Sequence, residues 1–124
     1  MPEALAGVRV LVVDDDDDTR LILNEVLGHL GADVATAASA QDALALAQGV
    51  DIIVTDIAMP SVDGVWLLER VNELPRPVPV IAMSGYAERQ VPRYARAPFA
   101  RKLLKPVDKS ELSDLIREVL RERR

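Results

Sequence analysis

A largely apolar segment, residues 8–13, ends directly at five consecutive aspartates, residues 14–18. A run of this length and composition is typical of a strand that is buried on both faces of a parallel sheet. Adjacent carboxylates repel one another, so a folded chain needs something that offsets their charge. A bound divalent cation and the positive end of a following helix are the two available sources. The sequence therefore predicts a buried strand that ends in an acidic pocket.

Strand-like and helix-like segments alternate along the chain. Strands are predicted at residues 8–13, 33–37, 51–55, 80–83 and 103–104. Helices are predicted where apolar side chains recur at helical spacing, from Asp16 or Asp17 to Gly31, Ser39 to Gly49, Val65 to Val71 and Asp108 to Leu120. Pro92 makes residues 85–98 the least regular segment. Strands separated by helices form parallel βαβ units, so we expect a single α/β domain over residues 1–124.

Composition narrows the classes of protein that this chain can represent. It has 124 residues, no cysteine and a formal net charge of −5. The lack of cysteine excludes disulfides and thiolate metal sites, and the acidic balance argues against general nucleic-acid binding. No signal-like segment begins the sequence, and no apolar stretch reaches membrane-spanning length. A cytoplasmic protein without direct contact to nucleic acid or membrane is the expectation.

Polar side chains follow the predicted strands at the points where the strands end. Asp14 and Asp15 follow the first strand, and the third, fourth and fifth strands lead to Asp56, Ser84 and Lys105. In an open parallel sheet the carboxyl ends of the strands form the binding crevice, so these side chains are expected to converge. Grouped carboxylates favour a cation, and Mg²⁺ suits oxygen ligands best. A hydroxyl and an ammonium beside the metal are suited to holding a phosphoryl group.

Four motifs resemble, in order, the receiver domain of two-component response regulators: Val12-Val13-Asp14-Asp15, the segment DIAMPSVDG from Asp56 to Gly64, Met83-Ser84-Gly85 and Lys105-Pro106. The resemblance covers nearly the whole chain. It implies a flavodoxin-like, doubly wound five-stranded parallel sheet in the order 2-1-3-4-5, flanked by helices, with no output domain. It also implies a phosphoacceptor switch that is not an enzyme beyond self-phosphorylation and slow self-dephosphorylation.

The same resemblance implies a role for each residue of the constellation. Asp56 is the expected phosphoacceptor, and Ser84 and Lys105 are expected to contact the transferred phosphoryl group. The expected donor is a phosphohistidine on a sensor histidine kinase or a phosphotransfer protein. The groups implied to bind Mg²⁺, or Mn²⁺ as a substitute, are the carboxylates of Asp15 and Asp56, the backbone carbonyl of Ala58, and Asp14 through a metal-bound water.

The segment before Lys105 departs from the family pattern. The family usually has an aromatic residue three positions before this lysine, and its ring moves inward after phosphorylation, but this chain has Lys102. Ring rotation at this position therefore cannot be the output signal, although Ser84 can still move toward the phosphoryl group. Residues 99–108 look more like receivers fused to hybrid histidine kinases, which suggests origin in such a fusion or a shared phosphorelay role.

Five basic side chains lie between the fourth strand and the last helix: Arg89, Arg93, Arg96, Arg101 and Lys102. All of them except Arg96 form, with Tyr86, the expected switch and partner face. Glu88 alone is expected to oppose their charge. The sequence does not decide between a solvated face and a docking surface, and an acidic protein partner suits the charge better than DNA does. Receivers also pair through this face, so a homodimer is left open. Tyr86 is further expected to shield the pocket, and Ala58 offers no group that orients a hydrolytic water, so a long-lived phosphoryl group is expected.

Two other functions are alternatives. Asp15 to Thr19 match the Asp-x-Asp-x-Thr motif of haloacid-dehalogenase-like phosphatases, with Asp15 as the nucleophile. That family also needs a late acidic metal-binding pair and usually a cap insertion, and the sequence shows neither. A pseudo-receiver, folded but never phosphorylated and used as a scaffold, is the second alternative. The complete acidic set and Lys105 argue against it.

Overall fold

Five parallel strands form the centre of the protein in the computed structural model, which describes residues 4–123. The strands are β1 (Arg9–Val13), β2 (Asp33–Ala37), β3 (Ile52–Asp56), β4 (Val80–Ser84) and β5 (Arg101–Leu104). They are hydrogen-bonded in the order β2-β1-β3-β4-β5, and every pair is parallel. The predicted flavodoxin-like sheet is therefore confirmed. Only β5 differs appreciably from its prediction, since it begins two residues earlier.

The described residues form five α-helices: α1 (Asp17–His29), α2 (Ala40–Leu46), α3 (Gly64–Asn72), α4 (Pro92–Arg96) and α5 (Lys109–Glu122). The first four connect successive strands, and α5 follows β5. All except α4 begin at a side chain that accepts a backbone N–H from the first turn, namely Asp16, Ser39, Asp63 and Asp108. These caps satisfy N–H groups that have no partner within the helix. Among the described residues, no helix combines the length and apolar character needed to cross a bilayer.

The segment before β5 is irregular, as predicted. After β4 the chain makes one 3₁₀ turn (Glu88–Gln90), and then α4 begins at Pro92 and has only five residues. Proline is favoured at the first helical position because its missing N–H is not needed there. Pro92 therefore starts a short helix and does not interrupt a longer one.

The apolar core lies in two layers, one on each face of the sheet. Leu11 and Val13 of β1 face the layer covered by α2, α3 and α4, whereas Val10 and Val12 face the layer covered by α1 and α5. This alternation follows from strand geometry, in which successive side chains point to opposite faces. Because helices cover both faces, the ends of the strands are where functional groups can meet solvent.

The register brings the carboxyl ends of the strands to one edge of the sheet. Val13 of β1 is level with Thr55 of β3, and Asp56 is level with Met83 of β4. The chain crosses from β1 to β2 on one side and later to β3 on the other, so the winding direction reverses between β1 and β3. Ligands of open α/β sheets bind at such a reversal, outside the carboxyl ends of the strands.

Candidate phosphoacceptor and metal site

Three aspartate carboxylates meet at this edge of the sheet. Asp14 and Asp15 lie in the loop between β1 and α1, and Asp56 is the last residue of β3. Each contributes a carboxylate oxygen, and these oxygens all lie within 4.8 Å of one another. Asp14 and Asp56 are buried, whereas Asp15 is exposed. The structure thus brings together the three acidic residues that the sequence placed at the strand ends.

Asp14 is a buried carboxylate with an unused oxygen. Its Oδ1 accepts the backbone N–H of Asp16 at 2.9 Å, and Arg20 donates to its backbone carbonyl at 2.7 Å. Its Oδ2 is buried and has no hydrogen-bond partner. Burial raises the pKa of Asp14, the hydrogen bond from Asp16 reverses part of this, and the charge of Asp56 raises it further. An ionised Asp14 is therefore an incompletely compensated charge.

Lys105 approaches the carboxylates from the loop after β5. Its Nζ lies 2.8 Å from Oδ1 of Asp56 and 4.0 Å from Oδ2 of Asp14. The same Oδ1 of Asp56 accepts the backbone N–H of Ile57 at 2.9 Å. Burial raises the pKa of Asp56, and the hydrogen bond and charge of Lys105 offset only part of this rise. Partial burial lowers the pKa of Lys105, but its contacts with Asp56 more than reverse that, so the net shift is upward and the ammonium stays charged.

The donor set of this cluster fits a divalent cation. Among the described residues, Lys105 is the cation in contact with the carboxylate oxygens, so three carboxylates share one ammonium. The unpartnered Oδ2 of Asp14 is an oxygen that a cation would satisfy. Mg²⁺ is bound in proteins by one or two carboxylates together with water and phosphate oxygens. The geometry therefore supports the predicted metal site. That Asp14 contacts the ion through a metal-bound water stays a prediction.

The loop after Asp56 comes too close to β3 for a side chain at Gly64. A Cβ there would lie 2.6 Å from the backbone oxygen of Asp56 and 2.9 Å from Cδ1 of Ile57. Real Cβ contacts are not this short, so glycine is required and accounts for the last residue of the motif. Ala58 is exposed in the same loop. Its role as a carbonyl ligand stays a prediction.

Ser84 contacts a residue that the sequence did not identify. Ser84 is fully buried at the end of β4, and Tyr94 of α4 donates its phenolic O–H to Ser84 Oγ at 3.0 Å. Tyr94 is itself 2% exposed. It was missed because it lies in the irregular segment, where no periodicity indicates which side chains turn inward. The available signal was its rarity, since aromatic residues make up only 3% of the chain.

Part of the predicted partner face is engaged in ion pairs within the protein. Two of its arginines form ion pairs with acidic side chains: Arg93 with Asp63, the cap of α3, and with Glu69 of α3, and Arg101 with Glu118 and Glu122 of α5. The expectation that Glu88 alone opposes the basic set is therefore wrong, because acidic residues distant in sequence lie beside it. Hydrogen bonding and charge from Asp63 raise the pKa of Arg93, and those from Glu122 raise the pKa of Arg101.

Lys102 and Tyr86 differ sharply in their surroundings. Lys102 Nζ donates to the carbonyl of Ala95 at 2.9 Å and lies 4.9 Å from the ring centroid of Tyr94. Arg89 donates to the carbonyl of Lys102 at 3.4 Å. Tyr86 is 75% exposed, so most of its ring faces solvent in this structure. The expected shielding of the pocket by Tyr86 stays a prediction, as does the switch role of this face.

The segment that matches the phosphatase motif serves to begin α1. Thr19 donates its backbone N–H to Asp16 Oδ2 at 3.1 Å and its hydroxyl to the same oxygen at 2.6 Å. These hydrogen bonds lower the pKa of Asp16. Asp17 forms an ion pair with Arg20. Because Thr19 and Asp17 are engaged in the first helical turn, the geometry offers nothing that favours the phosphatase alternative.

Comparison with known proteins gives matches along most of the chain. The family model described as the response regulator receiver domain matches residues 10–117. An uncharacterized 14.6 kDa protein in the sodA1 3′ region of Leptolyngbya boryana is 41% identical over 121 residues, which are 94% of this chain and 92% of that protein. The two-component response regulator ARR11 of Arabidopsis thaliana is 38% identical over 122 residues, which are 94% of this chain but 23% of that protein. The chain thus spans about a quarter of ARR11 and nearly all of the Leptolyngbya protein.

Solved structures match the fold over similar lengths. The response regulator receiver domain protein (CheY-like) from Methanospirillum hungatei has a TM-score of 0.82 and 31% identity, and the match covers 93% of this chain and 94% of that one. The receiver domain protein from Clostridium thermocellum has a TM-score of 0.85 at 23% identity, with 94% and 96% of the two chains covered. The second match supports the fold alone.

Proposed function

Because this chain belongs to the response regulator receiver domain family, we propose that Asp56 accepts a phosphoryl group from a phosphohistidine. The donor is a sensor histidine kinase or a phosphotransfer protein. We propose a cytoplasmic location because such a donor would transfer its phosphoryl group there. The observation that carries the proposal is the environment of Asp56, a buried carboxylate 2.8 Å from Lys105 and in a cluster with two other carboxylates. A carboxylate placed in this way is a nucleophile at the switch point of the sheet.

The hydrogen bonds of Asp56 indicate which of its oxygens attacks. Oδ1 is engaged by Lys105 Nζ and by the N–H of Ile57, which leaves Oδ2 for the reaction. In the proposed step Oδ2 attacks phosphorus, the phosphorus–nitrogen bond to imidazole breaks, and the electron pair stays on that nitrogen. When the other ring nitrogen of the phosphohistidine carries a proton, the products are an acyl phosphate on Asp56 and a neutral histidine on the donor. The chain contributes mainly position and charge, since phosphoryl transfer requires little else from a protein.

The other residues of the site hold the charge of the phosphoryl group. Asp14, Asp15 and Asp56, with the carbonyl of Ala58, would hold Mg²⁺ or Mn²⁺, and the bound ion neutralises phosphoryl oxygens. Once Asp56 carries the phosphoryl group, it no longer has the carboxylate charge that binds the ammonium of Lys105. Lys105 then pairs with the phosphoryl oxygens, and Ser84 donates to them. We further propose that this rearrangement alters the face formed by α4, β5 and α5, where a protein partner binds.

Intact mass measured after incubation with Mg²⁺ and acetyl phosphate tests the proposal. We expect one added phosphoryl group on the wild type, none on Asp56→Asn, and none when EDTA removes the metal. Asp18→Asn is the matched control, because Asp18 is exposed in the same acidic run, and it should be phosphorylated like the wild type. An adduct that survives Asp56→Asn but disappears in Asp15→Asn would overturn the proposal in favour of the phosphatase. No adduct on the wild type, with Mg²⁺ binding shown separately, would favour the scaffold.

A further inference from the structure

Tyr94 links the short helix α4 to the phosphoacceptor site. Its hydroxyl lies 3.0 Å from Ser84 Oγ, and both side chains are buried, at 2% and 0% exposure. In the described part of the chain this is the hydrogen bond that the Ser84 side chain makes. The contact joins residues ten positions apart across the irregular segment, so it is a tertiary contact and not a consequence of local geometry.

The chemistry of two hydroxyls in contact fixes what this bond can do. A serine hydroxyl has one proton and two lone pairs. When Tyr94 donates its proton, Ser84 Oγ accepts with a lone pair, and its own proton remains available to a second acceptor. A phosphoryl oxygen on Asp56 would be such an acceptor, and a chain of two hydrogen bonds would then run from Tyr94 through Ser84 to the phosphoryl group. Hydrogen bonds in such a chain polarise and strengthen one another.

Neighbouring side chains hold the ring of Tyr94 in place for this contact. Phe99 lies with its ring centroid 5.8 Å from that of Tyr94, at an interplanar angle of 48°. Lys102 covers the ring with its ammonium 4.9 Å from the centroid, a cation–π arrangement, and is anchored at the carbonyl of Ala95. Lys102 therefore packs on the aromatic residue that reaches Ser84, and this residue comes from α4 and not from β5.

We propose that Tyr94 is a positioning residue of the phosphoacceptor site, whose hydroxyl orients Ser84 Oγ so that Ser84 donates to the phosphoryl group on Asp56. The inference rests on the proposed function. Without the Tyr94 proton, Ser84 Oγ loses its partner in a buried environment and the hydroxyl is free to rotate. Net hydrogen-bond strengths in proteins then imply a roughly threefold to tenfold effect on phosphorylation rate or phosphoryl lifetime.

A double-mutant cycle between Tyr94→Phe and Ser84→Ala tests the role of the hydroxyl. Tyr94→Phe keeps the ring and its contacts with Phe99 and Lys102, and removes only the O–H. The rate of phosphorylation by acetyl phosphate and the lifetime of the acyl phosphate are followed by intact mass, and thermal unfolding is measured on the unphosphorylated proteins. Tyr94→Phe should slow phosphorylation or shorten the lifetime in the wild-type background and have no further effect in Ser84→Ala. The unfolding temperatures should be non-additive in the same way.

The matched control is a second cycle with Ser113→Ala. Ser113 is a buried serine of α5, the helix whose apolar side chains pack in the other core layer, so its removal should combine additively with Tyr94→Phe. If the wild type is phosphorylated and the cycle with Ser84 is also additive, the Tyr94 hydroxyl does not act through Ser84 and the positioning role is wrong. If the wild type takes no phosphoryl group at all, the proposed function fails first and the positioning role falls with it, whatever the unfolding cycle shows.

Discussion

Replacing Asp14 with asparagine is expected to stabilise the protein when Mg²⁺ is absent. Asparagine keeps an oxygen that accepts the N–H of Asp16, which Asp14 Oδ1 does at 2.9 Å. Its amide group then stands where the buried Oδ2 has no partner. That amide donates toward the neighbouring carboxylates, so one buried charge is removed and one orphaned acceptor becomes a donor.

The size of the expected stability gain follows from the missing hydrogen bond of Asp14 Oδ2. A buried polar atom without a hydrogen bond costs about 1–3 kcal/mol. The variant also gives up the approach of Lys105, but Nζ is 4.0 Å from Oδ2 and binds Asp56 more closely. We therefore expect a net gain of about 1–2 kcal/mol in the free energy of unfolding, on the order of 3–8 °C in Tm for a domain of this size.

The assay is thermal unfolding of wild type and Asp14→Asn in EDTA and in Mg²⁺. In Mg²⁺ the difference in unfolding temperature between the two proteins should narrow or change sign, because the proposed metal site of the wild type has one carboxylate more than that of the variant. A ligand at ten times its Kd adds about 1.4 kcal/mol to the folded state. Asp18→Asn, at an exposed position, is the control and should change the free energy of unfolding by less than about 0.5 kcal/mol.

The pH dependence supplies a second check on the same reasoning. The pKa of Asp14 is raised in the folded state by burial, so its protonated form favours folding. The stability that protonation of Asp14 gives the wild type is fully present below the pKa of the unfolded state, about 4. It is lost as the pH rises through the raised pKa of the folded state. In EDTA, the difference in the free energy of unfolding between Asp14→Asn and the wild type should therefore be small at acidic pH and increase toward neutral pH. If Asp14→Asn unfolds at a lower temperature than the wild type in EDTA at pH 7, this account of Asp14 is wrong.

Two further substitutions test the loop between β3 and α3. Gly64→Ala should lower the free energy of unfolding by about 1–3 kcal/mol, because its Cβ would lie 2.6 Å from the Asp56 backbone oxygen. Urea denaturation measures the loss. A variant as stable as the wild type would contradict the close approach. Asp63→Ala should cost about 1 kcal/mol from the lost cap on the Trp66 N–H, and it should leave Arg93 paired with Glu69 alone. Unfolding midpoints that match the wild type would show that the cap is not needed.

The fold and the acidic cluster could be predicted because local signals report them directly. A buried parallel strand reads as an unbroken apolar run, and the residue after it lies at the functional edge whatever the details of packing. Asp14, Asp56 and Lys105 each occupy such a position. The caps at Asp16, Ser39 and Asp108 are equally local, since each depends on a residue three positions away.

The features that escaped prediction depend on contacts between distant residues. Arg93 meets an acidic side chain 30 positions away, and that partner is the cap of α3. Arg101 meets Glu118 and Glu122 across the gap between β5 and α5. The orientation of Tyr94 depends on where an irregular loop places α4, and no periodic pattern encodes that placement.

The brevity of α4 determines what holds it in position. Five residues provide little more than one turn of backbone hydrogen bonds, and an isolated helix of that length is unstable in water. The helix is therefore anchored by side chains: Tyr94 to β4, Arg93 to α3, and Lys102 to the carbonyl of Ala95. We expect a helix held in this way to move as a small rigid piece when one anchor changes, because little backbone structure has to be broken. Under the proposed function, an event at one buried hydroxyl would then be enough to remodel the surface around α4 without unfolding the layers beneath it.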